Sequence, residues 1–121
     1  MRPLEVRKYL FDIAQACEML AQFCSGKTFA DYAGDAMLRS AVERQLEIIG
    51  EALHHAIRLD PSLAAHISEI RRIVALRNRL IHAYASIASE VVWGILEIGL
   101  PTLRREVEAL LSETDDPEGA R

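Results

Sequence analysis

The segment RNRLIHAY, residues 77–84, carries the side chains of this sequence best suited to acting on a phosphate. Arg77 and Arg79 are permanent cations that donate hydrogen bonds to phosphate oxygens. Histidine, as at position 82, gives or takes a proton near neutral pH. These residue types predict a site that holds a phosphodiester group and transfers protons around it.

The spacing of Arg77 and His82 indicates how the two side chains could act on the same phosphodiester group. On a helix the two residues lie about 140° apart around the axis and about 7.5 Å apart along it, so they flank one phosphodiester rather than stack. A fixed cation beside a proton donor or acceptor is the minimum set for metal-free RNA cleavage, in which the 2′-hydroxyl attacks the adjacent phosphorus. That reaction needs both a base and an acid, but the segment offers one histidine. We therefore expect a two-fold homodimer that presents the pair twice across one cleft.

A structural role for Arg77 is the alternative. The apolar stripe predicted for this helix consists of Ile67, Ile70, Val74, Ile81 and Tyr84, with Arg77 filling the gap. A guanidinium in such a stripe is costly to bury without an anion. A buried carboxylate partner, a bent helix that exposes the side chain, or a cleft that holds a phosphate would each relieve the cost. Spacing alone does not decide between a salt bridge and a phosphate cleft.

The charge of the chain is concentrated in an unusual way. Its 121 residues carry a formal net charge of −4, which by itself argues against nucleic-acid binding. Residues 70–89, however, contain no Asp or Glu but hold Arg71, Arg72, Arg77 and Arg79, together with His82. The sequence is therefore an acidic protein with one basic segment.

Composition predicts a soluble, cytoplasmic protein. No apolar run approaches the length of a membrane span, and the charged N-terminal MRPLEVRKYLFD does not resemble a signal peptide. Cys17 and Cys24 would lie about 10 Å apart along one helix, too far for a disulfide bond. We expect both cysteines to be reduced core residues.

Hydrophobic spacing predicts four helices. The first carries an apolar face of Val6, Leu10, Ile13, Cys17, Leu20 and Cys24 and ends near SGKT, where Thr28 is a candidate cap. The second runs from about Asp35 to Leu59, with Leu38, Val42, Leu46, Ile49, Leu53 and Ala56 facing inward. The third runs from near Ser62 to about Tyr84, with a short irregular first turn as an alternative to a regular start, and the fourth begins after a Ser86 or Ser89 cap. Pro101 should kink or interrupt the fourth helix, because proline lacks the backbone donor.

These elements predict an all-α fold, an antiparallel up-down four-helix bundle. We expect one helical domain over residues 1–112 and an acidic, flexible tail over residues 113–121.

Other catalytic motifs are weak or missing. Glu51 and His54 form half of a di-iron Glu-x-x-His pattern, but the chain has one copy, so surface pairing of these two side chains is the better interpretation. His55 and His66 have no supporting pattern and are expected to be structural. Walker loops, GxGxxG, HExxH and a nucleophile elbow are absent from the sequence. We predict neither a metal site nor a cofactor.

RNRLIHAY also resembles a known motif. It has the R-x4-H-x-Y form that marks ribonucleases of the HEPN superfamily, with Arg77, His82 and Tyr84 in the fixed positions and the polar Asn78 after the first arginine. AVERQLEIIGEAL in the second helix and EVVWGILEIGLPTL in the fourth look like the HepT branch of that superfamily. The resemblance therefore covers most of the chain.

The resemblance implies a HepT-like toxin, a homodimer of HEPN-like bundles with both motifs in a shared cleft. It implies metal-independent endoribonuclease activity with Arg77 and His82 as the catalytic pair, and Asn78, Arg79 and Tyr84 supporting or binding RNA. The implied partner is a MntA-type nucleotidyltransferase antitoxin of a type VII-like toxin–antitoxin system. Such an antitoxin transfers AMP from ATP onto the motif tyrosine, here Tyr84 as O-AMP-tyrosine. The added bulk and negative charge would repel RNA.

The sequence departs from the family after Tyr84, where ASIASE lacks the aromatic residue that relatives often have. The departure leaves the rim of the cleft and the RNA preference, tRNA or mRNA, open. Two other interpretations also remain open. One is a non-catalytic helical module that binds a minimal nucleotidyltransferase, and the other is a structural dimer with a buried Arg–Glu pair. The intact Arg77 and His82 favour the ribonuclease, because a docking module needs no acid or base.

Overall fold

The fold is an all-α bundle, as predicted. The computed structural model describes residues 2–82 and 88–114, and within these ranges the secondary structure is helical, without strands. The α-helices are α1 (Leu4–Cys24), α2 (Phe29–Gly34), α3 (Ala36–Leu59), α4 (Ile70–His82), α5 (Ser89–Gly94) and α6 (Leu100–Thr114). A 3-10 helix covers Pro61–Ala65, and a π-helical segment covers Ile95–Gly99 between α5 and α6.

The long helices pack in an order that leaves α4 at one side of the bundle. Helix α1 lies against both α3 and α6, and the chief packing partner of α4 is α3. The turn before α4 is also tied to α6, because the backbone N–H and the hydroxyl of Ser68 both donate to the Glu106 carboxylate. The position of α4, and of any site on it, is therefore set mainly by α3.

The core confirms the apolar faces predicted for α1 and α3. The predicted inward residues that are buried are Val6, Leu10, Ile13, Cys17, Leu20, Val42, Leu46, Ile49, Leu53 and Ala56, whereas Cys24 and Leu38 are half-buried. Both cysteines are free thiols, and burial raises the pKa of Cys17 to about 12. Tyr32 of the short α2 also reaches the core, where its ring lies 5.5 Å from that of Trp93.

Polar caps define where α2 and α3 begin. Thr28 caps α2, as predicted, by accepting a hydrogen bond from the Asp31 N–H while the Asp31 carboxylate accepts one from the Thr28 N–H. Asp35 caps α3 by accepting from the N–H groups of Met37 and Leu38. These caps satisfy donors that the first turn of a helix leaves unpaired.

The third helix has an irregular start near Ser62, as the prediction allowed, but this irregular segment is longer than one turn. Asp60 accepts from the backbone N–H and hydroxyl of Ser62 at 3.1 and 2.6 Å, and Pro61 occupies the first turn, so a tight 3-10 helix forms there. The regular helix α4 begins only at Ile70. Local capping at Asp60 thus competes with continuation of an α-helix.

The interruption predicted at Pro101 is present as the π-helical segment. Pro101 has no N–H and crowds the carbonyl four residues earlier, so the turn before it widens, and the Leu100 N–H donates to the Ile95 carbonyl. The predicted serine cap of this helix was wrong for Ser89, which is the first helical residue after an Ala88 cap position. Ser86 lies outside the described residues.

Two further features bear on the sequence predictions. No helix within residues 2–82 and 88–114 is both long and apolar enough to cross a membrane. The acidic tail predicted for residues 113–121 stays a prediction, because residues 115–121 lie outside the described part of the chain.

Candidate active site

Helix α4 carries the basic motif over its last two turns. Ile73 and Leu76 of α4 are buried, Arg77 is half-buried, and Asn78, Arg79 and His82 are exposed. His82 is the final residue of α4, and Tyr84 lies outside the described residues. The structure therefore puts Arg77 at the boundary between core and solvent and His82 at the open end of the same helix.

The apolar stripe predicted for this helix was partly wrong. Ile67 is buried, but Ile70 and Val74 are only half-buried and Ile81 is 43% exposed. The face that enters the core is instead centred on Ile73 and Leu76, with Leu80 half-buried beside them. This rotation moves Arg77 from the centre of the buried face to its edge.

A close approach of α4 to α3 fixes the stem of Arg77. A Cβ built on Gly50 would lie 2.3 Å from Arg77 Cβ and 2.8 Å from Arg77 Cγ. It would also lie 3.3 Å from the backbone oxygen of Ile73. Only a residue without a side chain permits this contact, and the stem of Arg77 occupies the space that a side chain at position 50 would take.

The guanidinium of Arg77 has polar contacts on two sides. Its Nη1 donates to Asn78 Oδ1 at 3.0 Å, and its Nη2 lies 3.7 Å from Glu51 Oε1. Its Nε is buried and has no hydrogen-bond partner among the described residues. Neither the buried carboxylate partner nor the bent helix posed for this arginine is present as such, since its carboxylate neighbour is 54% exposed and its own side chain, on a regular helix, stays 24% exposed.

The carboxylate of Glu51 links this arginine to a histidine. The pairing expected between Glu51 and His54 was wrong, because Glu51 Oε2 lies 3.7 Å from Nε2 of His55, one residue further along α3. The His55 ring is stacked on Tyr9 of α1, with centroids 5.4 Å apart. His54 and His66 are exposed. Within the described ranges, no three His, Cys, Asp or Glu side chains are grouped so as to hold a metal ion.

A shallow groove adjoins the motif between α3 and α4. It is lined by His54, Ile57 and Arg58 of α3 and by Ile70, Arg71, Val74, Ala75 and Asn78 of α4. Among the described residues, no acidic side chain lines the groove, although the whole chain is acidic. Arg58 and Arg71 therefore give this face of α4 a local positive charge that favours anionic ligands.

Gly50 and Glu51 were missed as parts of the site by reasoning from sequence. Both residues lie within a regular helical pattern. In such a pattern a glycine is interpreted as a small core residue and a glutamate as a solvated surface residue. Their adjacency in IIGEAL, opposite a basic helix, was the available signal. Without the crossing of α3 and α4, nothing in the sequence connects them with Arg77.

Fold and site together define a helical-bundle protein with an R-x4-H motif at the edge of one helix. Comparison with known proteins identifies the family, since residues 13–110 match the family described as Ribonuclease HepT-like. The chain belongs to this HepT-like ribonuclease family.

Two relatives match over nearly their whole lengths. A protein named "Putative RNase" from Caldanaerobacter subterraneus subsp. tengcongensis is 32% identical over 109 residues, which cover 88% of this chain and 95% of that protein. A "Probable ribonuclease HepT" from Thermococcus cleftensis is 34% identical over 108 residues, covering 86% and 94%. No solved structure matches the chain.

The contact between Gly50 and Arg77 predicts opposite effects for two Gly→Ala substitutions. In Gly50→Ala the new methyl group meets atoms close to the α4 backbone, so the helices must separate, and we expect a loss of about 1–3 kcal/mol in the free energy of unfolding. Gly94→Ala has nothing within 4 Å of its new Cβ and is helical, so a gain of about 0.5–1 kcal/mol is expected. Urea denaturation of the two variants measures both effects. Equal stability of the two variants would contradict the close approach of the helices.

Proposed function

We propose that this protein is an endoribonuclease whose catalytic pair is Arg77 and His82. The observation that carries the proposal is the arrangement on α4, where a half-buried, oriented arginine precedes an exposed histidine on one helix. Membership of the HepT-like ribonuclease family supports RNA as the substrate. A bundle that only bound a partner would need neither a proton-transfer group nor an oriented cation.

The proposed reaction is metal-independent cleavage of the RNA backbone. The 2′-hydroxyl attacks the adjacent phosphorus and gives its proton to a base, while the bond to the 5′-oxygen breaks and that oxygen receives a proton from an acid. Arg77 stabilises the charge that develops on the phosphate oxygens. His82, at the end of α4, serves as the proton-transfer group.

The acid and the base require two histidines, so the proposal includes a two-fold homodimer. Each chain contributes Arg77 and His82 to a shared cleft, and the His82 side chains of the two chains take the two proton-transfer roles. Asn78 and Arg79 are exposed beside the pair and would bind neighbouring phosphates or sugars. Asn78 also keeps its amide N–H groups for RNA, because its oxygen accepts from Arg77.

The cellular role that fits this activity is the toxin of a type VII-like toxin–antitoxin system. The antitoxin would be a MntA-like nucleotidyltransferase, which transfers AMP to Tyr84 and displaces pyrophosphate from ATP. Tyr84 is two residues beyond His82, so an adenylyl group there would bring bulk and negative charge to the catalytic end of α4. Repulsion between this group and the RNA phosphate would then prevent cleavage.

Replacement of His82 by alanine tests the catalytic assignment. We expect His82→Ala to retain its fold, because the side chain is exposed, and to cleave RNA about 10²–10⁴-fold more slowly. His66→Ala is the matched control, since His66 is also exposed but precedes α4, and its activity should equal that of the wild type. Full activity of His82→Ala in a cleavage assay with fluorescent RNA would disprove the assignment.

Metal independence is tested by chelation. We expect the cleavage rate to be unchanged by excess EDTA, because the proposed groups are two arginines and two histidines, one of each from either chain. The assay is repeated with excess Mg²⁺ to separate effects of ionic strength from effects of metal. Loss of activity in EDTA and its recovery with a divalent cation would instead indicate a metal-dependent enzyme.

Modification of Tyr84 is tested by intact-protein mass spectrometry. Incubation with ATP, Mg²⁺ and the cognate nucleotidyltransferase should add the mass of one AMP group per modified tyrosine and abolish RNA cleavage. Tyr84→Phe should remain unmodified and, because it lacks only the acceptor hydroxyl, active in the presence of the antitoxin. An unchanged mass of the wild-type protein, or modification of the Phe variant, would refute this route of control.

A further inference from the structure

Glu51 of α3 lies between two cationic or potentially cationic side chains. Its Oε1 is 3.7 Å from Arg77 Nη2 and its Oε2 is 3.7 Å from His55 Nε2. The His55 ring is itself held by stacking on Tyr9. The two carboxylate oxygens thus face different partners, and the two contacts favour one orientation of the carboxylate plane.

The remaining contacts of Arg77 leave its guanidinium little freedom. The stem is packed against Gly50, Nη1 donates to Asn78 Oδ1 at 3.0 Å, and Nε is buried. Rotation of the guanidinium plane would move Nη2 away from Glu51 and Nη1 away from Asn78. Glu51 is the one carboxylate paired with Arg77 among the described residues, so it supplies the charged restraint on that rotation.

The pair contributes little to folding stability. The Glu51 side chain is 54% exposed, and its distance to Nη2 is longer than a hydrogen bond, so solvent screens the attraction. An interaction of this kind is better suited to orienting a side chain than to holding two helices together. The close packing at Gly50 already holds the helices.

We propose that Glu51 is a positioning residue that orients the Arg77 guanidinium toward the RNA phosphate. Glu51 acts through Arg77 and does not touch the RNA. Its carboxylate holds Nη2 on the α3 side, so the Nη1 and Nη2 N–H groups that face neither Asn78 nor Glu51 are the ones left for phosphate oxygens. The inference rests on the proposed catalytic role of Arg77 but concerns an orientation that is measurable without RNA.

Steady-state cleavage by Glu51→Gln is the functional arm of the test. The substitution keeps the size of the side chain and removes its charge, so we expect kcat to fall by a factor of about 10 to 100, the usual result of a misplaced catalytic group. KM should change little, because Glu51 makes no contact with RNA. Glu47→Gln is the matched control, since Glu47 lies one turn earlier on α3 and pairs with Arg44 instead. The control should retain wild-type kcat.

The Arg77 Nε–H signal in ¹⁵N NMR spectra provides a readout that needs no activity. This group is buried, so its proton should be protected from exchange and visible in the wild type. Glu51→Gln, and Glu51→Asp with its shorter reach, should shift or broaden the signal, whereas Glu47→Gln should leave it in place. The signal is assigned by its loss in Arg77→Lys, and thermal unfolding verifies that each variant is folded.

The outcomes separate the two proposals. An unchanged Nε–H signal in both Glu51 variants overturns the positioning role alone. The same holds if Glu51→Gln leaves kcat unchanged while Arg77→Ala inactivates the enzyme. Wild-type activity of both Arg77→Ala and His82→Ala overturns the proposed function. In that case a shifted Nε–H signal would still support the orientation of Arg77 by Glu51.

Discussion

The rest of the site depends on one close contact, in which the side chain of Arg77 packs against the backbone of Gly50. Helix α4 lies at one side of the bundle and packs chiefly on α3. How closely α4 approaches α3 therefore determines how α4 is rotated about its own axis. The stem of Arg77 packs against Gly50, and this contact sets the rotation of α4 about its axis. The rotation decides which neighbouring residues of α4 are buried and which are exposed. Ile73 and Leu76 turn inward, while Asn78, Arg79 and His82 turn outward.

The half-buried position of Arg77 reconciles two opposing requirements. Full burial of a guanidinium is costly without complete pairing, whereas a fully exposed arginine adopts many rotamers and loses entropy when it binds. At the edge of the core, the aliphatic stem is packed while part of the guanidinium remains accessible. Glu51 and Asn78 then restrict the head group at little cost, because both are themselves accessible to water.

The helices and their caps were predictable from sequence wherever the apolar pattern was regular. The faces of α1 and α3 follow spacings of three and four residues, and Thr28 and Pro101 act through local rules of helix capping and proline geometry.

The buried face of helix α4 was not predictable from its sequence, because two apolar stripes fit it. Ile70, Val74 and Ile81 form one stripe, and Ile73, Leu76 and Leu80 form the other. The choice between them depends on which face meets α3, a tertiary contact that periodicity does not encode. For the same reason, residue type and spacing can nominate Arg77 and His82 as candidates, whereas the contacts of Gly50 and Glu51 with Arg77 cannot be read from the sequence.

The π-helical segment before Pro101 has a consequence for the periodicity of the last helix. Its buried positions include Val92, Ile95, Gly99, Leu100, Leu103, Val107 and Leu110, so two consecutive residues are buried where the π-helical segment ends, and spacings of three and four continue on either side. The wide turn absorbs what amounts to a one-residue insertion without turning the downstream stripe away from the core. It also brings the backbone of Gly99 beside Glu69, immediately before α4. A displacement of the π-helical segment would therefore be felt at Glu69, the residue that precedes the first turn of α4.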